Sequence, residues 1–274
     1  MSGLGIEGYR EYLARRDGEA DLLHRRLASR EEFFAGLEAD PVCSARSIDR
    51  QVFTRNLHRR RPEPGVEPEM LFLLATAKLN QAERFGVDLG DTYGRIGREG
   101  EPPERMYLAL EEHYHTRLLA YVLDVFDLPF QVVVPPFVMR QFVKVNVFLP
   151  ERFGFAFVGA AEMAGCVMFD ELRRVGVELF ADEPDVAARV EWLYSEILTD
   201  EMGHVGYCAA RCTAVERAMM RWLYPRIGRL FARQTAEISL LADPSELHAR
   251  LDRPFDVDEL SAGLSNETFL AAHP

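Results

Sequence analysis

Residues 111–123 read EEHYHTRLLAYVL, and residues 199–209 read TDEMGHVGYCA. The first stretch places Glu112 three residues ahead of His115, and the second repeats the spacing with Glu201 and His204. Three residues is close to one helical turn, so on an α-helix each acid shares a face with its imidazole. The neighbours on those faces are apolar: Leu108, Ala109 and Leu119 beside the first pair, and Tyr194, Ile197, Leu198, Val205 and Cys208 beside the second. Both pairs are therefore expected to point into a core, where an ionised side chain without a partner is costly.

Two further acids lie in similar company. Glu162 interrupts the apolar run FGFAFVGAAEMAGCVMF (153–169), on a stripe with Phe155, Val158, Gly159, Gly165, Cys166 and Phe169. A carboxylate in that place must be protonated, paired or bound to a cation. Glu83, within ATAKLNQAERFGVD (75–88), is the acid well inside its own helical stretch, on a face with Phe72, Thr76, Leu79 and Val87. One Glu from each of two helices and a Glu-x-x-His from each of two others is the ligand pattern of a dimetal site inside a helical bundle. Four carboxylates neutralise two divalent ions. The mixture of carboxylate and imidazole suits two iron ions, with manganese as the alternative, better than zinc or calcium.

The rest of the chain is consistent with that reading. Its 274 residues are 48% hydrophobic, enough for a substantial core, and the formal net charge of -12 disfavours nucleic acid as a partner. Cys43, Cys166, Cys208 and Cys212 contain no C-x-x-C pair, which argues against a zinc ribbon, and the two beside ligand positions read as small apolar filler. The N-terminus has no apolar signal segment, and the 153–169 run is short for a membrane span and carries Glu162. The chain is thus expected to be cytoplasmic and not to engage a membrane.

Helical periodicity predicts elements over about 6–16, 19–38, 45–58, 67–87, 103–126, 151–180, 184–210 and 212–241. Residues 1–60 form N-terminal accessory helices, 61–241 the main bundle, and 242–274 a polar C-terminal tail with one or two short helices. In the first two helices Leu22, Leu23, Leu27, Phe33, Phe34 and Leu37 are expected to face inward, with Glu and Arg outward. The segment 130–148 opens Val-rich, but Pro135 and Pro136 break any strand, leaving a loop and a short helix whose Arg140 and Lys144 read as a solvated face. Glu111 and Asp200, each just before a ligand glutamate, are placed to hydrogen-bond the imidazole of the opposite helix or to face solvent. His113 falls on another face of its helix.

With Glu83, Glu112, His115, Glu162, Glu201 and His204 in this order, the chain resembles the ferritin-like diiron-carboxylate superfamily across about 83–204. Within it, EEHYHT and DEMGH look most like the p-aminobenzoate N-oxygenase family. The resemblance implies an all-α, ferritin-like four-helix bundle with additional N- and C-terminal helices. It also implies an O₂-dependent non-haem diiron oxygenase that N-oxygenates or hydroxylates a small organic substrate, its electrons supplied by an external donor, with a homodimer as the expected assembly. Those six residues would be both the metal ligands and the catalytic set. The N-oxygenase family has an additional histidine ligand four residues before the last glutamate, where this chain has Ile197. A radical-generating reductase subunit would have a tyrosine where Leu119 stands. A ferroxidase or iron-storage protein and a diiron desaturase are the alternatives within the superfamily, and a metal-free helical module the alternative outside it.

Overall fold

Prolines and short polar side chains set where the helices begin. Helices start on Pro68, Pro103, Pro184 and Pro244, where the missing N–H costs nothing because the first turn has no partner for it. Elsewhere Asp49 accepts from the amides of Gln51 and Val52, and Thr213 and Glu216 form a reciprocal capping box. The structure, a computed structural model, describes residues 6–17, 22–92, 103–128, 135–149, 151–262 and 264.

The described residues are all-α, with no strand among them. The order is α1 (Ile6–Asp17), α2 (Leu22–Ala39), α3 (Arg50–Leu57), α4 (Pro68–Thr92), α5 (Pro103–Asp124), α6 (Phe137–Phe148), α7 (Glu151–Leu179), α8 (Pro184–Arg211), α9 (Ala214–Gln234), α10 (Ile238–Leu241), α11 (Pro244–Asp252) and α12 (Val257–Ser261). The long helices α4, α5, α8 and α7 pack in a ring, each against the next, and α7 against α4 closes it. Leu73, Leu74, Leu118, Leu119, Leu193 and Leu198 in this ring are fully buried, each contributing about 1.5–3 kcal/mol of transfer free energy. Two glycines let α7 come close to its neighbours. A Cβ at Gly159 would lie 2.8 Å from the Cβ of Cys208, and one at Gly176 would lie 2.8 Å from Val190 and 2.9 Å from Phe72.

By length and composition α7 contains a segment, Phe153–Leu179, that could cross a membrane, which the shorter 153–169 run does not show by itself. It is packed against α8 and α9 and carries Glu162. Helix α6 follows Pro135 and Pro136 as expected, while the Val-rich opening of that segment lies outside the described residues. The helix expected over 212–241 is divided, because the chain leaves helical geometry at Thr235 before α10 buries Ile238 against α4. Beyond it, Leu247, Leu251 and Leu260 are buried, so α11 and α12 add to the core around α7 and α9.

The N-terminal pair of helices departs from the expected pattern. Helix α1 packs on α8 and α2 on α5. Phe34 and Leu37 are buried, but Leu27 is 43% exposed whereas Arg26 and Arg30 are only 6% and 2% exposed. The inward face of α2 is thus partly cationic. Its electrostatic partners, Glu111 and Asp200, lie on other helices, and for them the arginine is a better neighbour than a leucine.

Candidate metal centre

All six anticipated side chains converge in the middle of the α4–α5–α8–α7 ring. They fall into two groups, Glu83 with His115 and Glu201, and Glu112 with Glu162 and His204, each offering three ligand atoms within 4.8 Å of one another. The groups do not follow the sequence pairs. Glu112 and His115 belong to different groups, as do Glu201 and His204, so each half of the centre draws on three different helices. Glu112 and Glu201 lie between the halves. Glu112 is 3.2 Å from Nδ1 of His204 and 4.0 Å from Nδ1 of His115. Glu201 is 3.1 Å from Nδ1 of His115 and 3.8 Å from Nδ1 of His204. The two rings are 5.4 Å apart between centroids.

Electrostatics in the cluster is adverse without a cation. Burial pushes the Glu83 carboxyl well up, and the charges of Glu112 and Glu201 push it further. Burial and the neighbouring Glu201 do the same to Glu162. For His115 burial works against the charged form, but the carboxylates of Asp200 and Glu201 outweigh it and raise the imidazole to about 10. Burial also acts upward on Glu112, yet His204 and His115 bring it down to about 2. Nδ1 of both histidines and Oε2 of Glu201 are buried without a hydrogen-bond partner. Three inward-facing lone-pair atoms left in this way, among four acids, fit a bound cation and make a poor purely structural core.

On its outer face the His204 imidazole is held by a hydrogen bond, whereas Nε2 of His115 has an acid close by but no hydrogen bond. Nε2 of His204 hydrogen-bonds Oε2 of Glu111 at 3.1 Å, and Nε2 of His115 lies 3.5 Å from Oδ2 of Asp200. Each imidazole is therefore backed by an acid from the opposite helix, and both acids are 1% exposed, so the solvated alternative is excluded. A carboxylate at Nε2 favours the tautomer that keeps the proton there and leaves Nδ1 free to ligate.

Sequence reasoning missed the next layer. Arg16 donates to Glu111 at 2.5 Å and to the Tyr107 hydroxyl at 2.7 Å. One nitrogen of Arg26 reaches both Glu111 (3.0 Å) and Asp200 (2.5 Å), and Arg30 pairs with Asp200 and with Glu196 (3.0 Å). The only signal available was the i, i+4 spacing of Arg26 and Arg30 on a helix with an otherwise broken apolar stripe.

A cavity of about 460 Å³ opens onto the cluster, bordered by Glu83, Glu112, Glu162, Glu201 and His204. Away from these its wall is largely apolar, including Leu79, Val87, Phe142, Val158, Met168 and Phe169. Arg105, Tyr207 and Cys208 also line it, whereas Arg140 and Lys144 do not. Lys144 and His113 are exposed, and Cys166 is buried. No protein-family model, curated protein or solved structure matches this chain.

Proposed function

We propose that the protein is an O₂-dependent non-haem diiron oxygenase on a ferritin-like four-helix bundle, acting on a small, predominantly apolar organic substrate. One observation carries the reading: two mixed carboxylate–imidazole groups, sharing Glu112 and Glu201 between them, face a single apolar cavity. Glu83, Glu112, His115, Glu162, Glu201 and His204 would hold the two irons. Four carboxylates and two neutral imidazoles balance two divalent ions, and this donor set favours iron or manganese. When bound, the ferrous pair supplies two electrons to O₂.

The chain's own contribution is positioning and exclusion. Leu79, Val87, Phe142, Val158 and Phe169 would desolvate an apolar substrate and hold its reactive atom near the carboxylates, and a volume of about 460 Å³ is in the range of small-ligand sites. Overall, substrate, O₂, two electrons and two protons give an oxygenated product and water. The reductant is external, because the sequence contains no dinucleotide-binding fingerprint. An iron store needs no apolar chamber beside its oxidation site, so the cavity favours the oxygenase.

Anaerobic titration with Fe²⁺ followed by O₂ tests the reading. Uptake that saturates near two irons per chain, with O₂ consumption accelerated by members of a panel of apolar amines and hydrocarbons, is expected. Continued uptake of many irons per chain would identify a store. Protein that takes up no iron removes the metal centre altogether.

A further inference from the structure

We infer that the arginines of α1 and α2 belong to the metal centre, with Arg26 positioning both imidazoles through Glu111 and Asp200; this rests on reading the inner cluster as a cation site. The two relays share a layout, with a hydrogen bond at His204 and a longer charge contact at His115. Glu111 turns Oε2 to His204 and Oε1 to Arg16 and Arg26. Asp200 turns Oδ2 to His115 and Arg30, and Oδ1 to Arg26. A single guanidinium nitrogen of Arg26 therefore joins two carboxylates on different helices, and each carboxylate backs one imidazole.

Charge is arranged in two layers. Outside, Arg16, Arg26 and Arg30 face Glu111, Asp200 and Glu196, three cations for three anions. Inside, the four carboxylates face one another and the two imidazoles, an arrangement that two dications would neutralise. If the outer layer lost a guanidinium, Glu111 or Asp200 would lose the partner that fixes its carboxylate and would turn away from the ring nitrogen. That change frees the imidazole to rotate, and the ligand geometry at Nδ1 loosens. Because Glu111 and Asp200 immediately precede Glu112 and Glu201, a shift in either also moves an acid of the inner cluster. Tyr107 helps to seat the layer, accepting from Arg16 and lying 5.8 Å from the Arg26 guanidinium.

The N-terminal helices are then energetically linked to metal binding. Cations that fix Nδ1 of both rings also fix Glu111 and Asp200, and through them the docking of α1 and α2.

The test uses the full chain and Co²⁺ as the probe, followed by its visible absorption, by chelator competition and by amide hydrogen exchange. Arg26→Met should weaken Co²⁺ binding by about 10- to 100-fold and alter the ligand-field bands. Arg26→Lys should fall between that variant and wild type, since an ammonium restores the charge but not the fork. Arg16→Gln, at a position 14% exposed, should give a smaller change in the same direction. Loading of wild type should slow exchange in α1 and α2, and Arg26→Met should lose that protection. A purely structural arginine layer would change melting temperature alone: folded Arg26→Met, Arg26→Lys and Arg16→Gln with wild-type affinity and spectra overturn the inference. Should Arg26→Met not fold, the other two decide. Wild type that binds no Co²⁺ or Fe²⁺ defeats the metal-centre reading itself, whereas wild type and variants that load alike defeat only this proposal.

Discussion

Helix α7 carries two buried acidic clusters eight residues apart, and they are solved in opposite ways. At its C-terminal half Asp170 is 2.9 Å from Arg173 and 2.6 Å from Arg250, which in turn is 2.8 Å from Glu171 and 3.0 Å from Glu259. Each of these acids has a guanidinium, and the cluster ties α7 to α11 and α12. At Glu162 the pattern is reversed. Glu112 and Glu201 pair with imidazoles, the carboxyls of Glu83 and Glu162 are driven upward by burial and by the charges of Glu112 and Glu201, and ring nitrogens face inward without partners. Buried acids closed by arginine hold helices together, whereas buried acids facing one another across a cavity leave a task for a cation.

The largest effect that would test this contrast is loss of a shared ligand. Glu201→Ala should lower cation affinity at both halves by more than about 100-fold, beyond what an outer partner contributes. The melting temperature of the metal-free variant should change far less than its affinity, because Glu201 both repels Glu162 and pairs with His115. Calorimetric titration with Fe²⁺ or Mn²⁺ beside a thermal melt reads both, and a variant that still loads two ions would break the comparison.

The opposite outcome is expected at the arginine-closed cluster. Asp170→Ala leaves Arg173 and Arg250 without their buried partner and should destabilise the fold by about 3–5 kcal/mol in denaturant unfolding. Cation stoichiometry should stay at the wild-type value. Metal loss in a variant that remains folded would mean that the two clusters act as one.

Proton linkage gives a smaller and more graded signal. His115, raised to about 10, holds a proton at neutral pH that ligation must displace, and the upward shifts of Glu83 and Glu162 act in the same direction. Apparent affinity should therefore rise with pH, about tenfold per unit for each proton released, and loading in weak buffer should acidify the solution. The same shifts make the metal-free fold bind more protons than the unfolded chain, so its stability should decline as pH rises above the ordinary carboxylate range. A pH-independent affinity between 6 and 8 would contradict the assignment of these groups. The smallest effect is expected at the surface, where Arg55 and Arg59 flank Glu63. Glu63→Gln should leave both melting temperature and metal uptake within measurement error, since exposed pairs contribute little.

Much of the fold was legible because its signals are local. Leucine and valine at helical spacing, prolines at helix starts and the Pro135–Pro136 break gave the long helices nearly to their ends. The six residues of the inner cluster were legible for a related reason: acids and imidazoles repeated at i, i+3 on apolar faces contradict their surroundings. Arg26 and Arg30 were not, because an arginine on a helix is ordinarily solvated and nothing within α2 says otherwise. Their inward direction depends on Glu111 and Asp200, which lie 85 and 174 residues from Arg26.

The sequence by itself thus determined an all-helical chain and the six side chains that its interior cannot accept unpaired, because periodicity and burial cost are properties of short segments. Tertiary structure alone decided that Glu83 joins His115 and Glu201 while Glu112 joins Glu162 and His204, and that the N-terminal arginines close the outside of the centre. Those outcomes depend on which helices pack side by side and at what depth, and charges brought together from distant segments acquire their partners only once that packing exists.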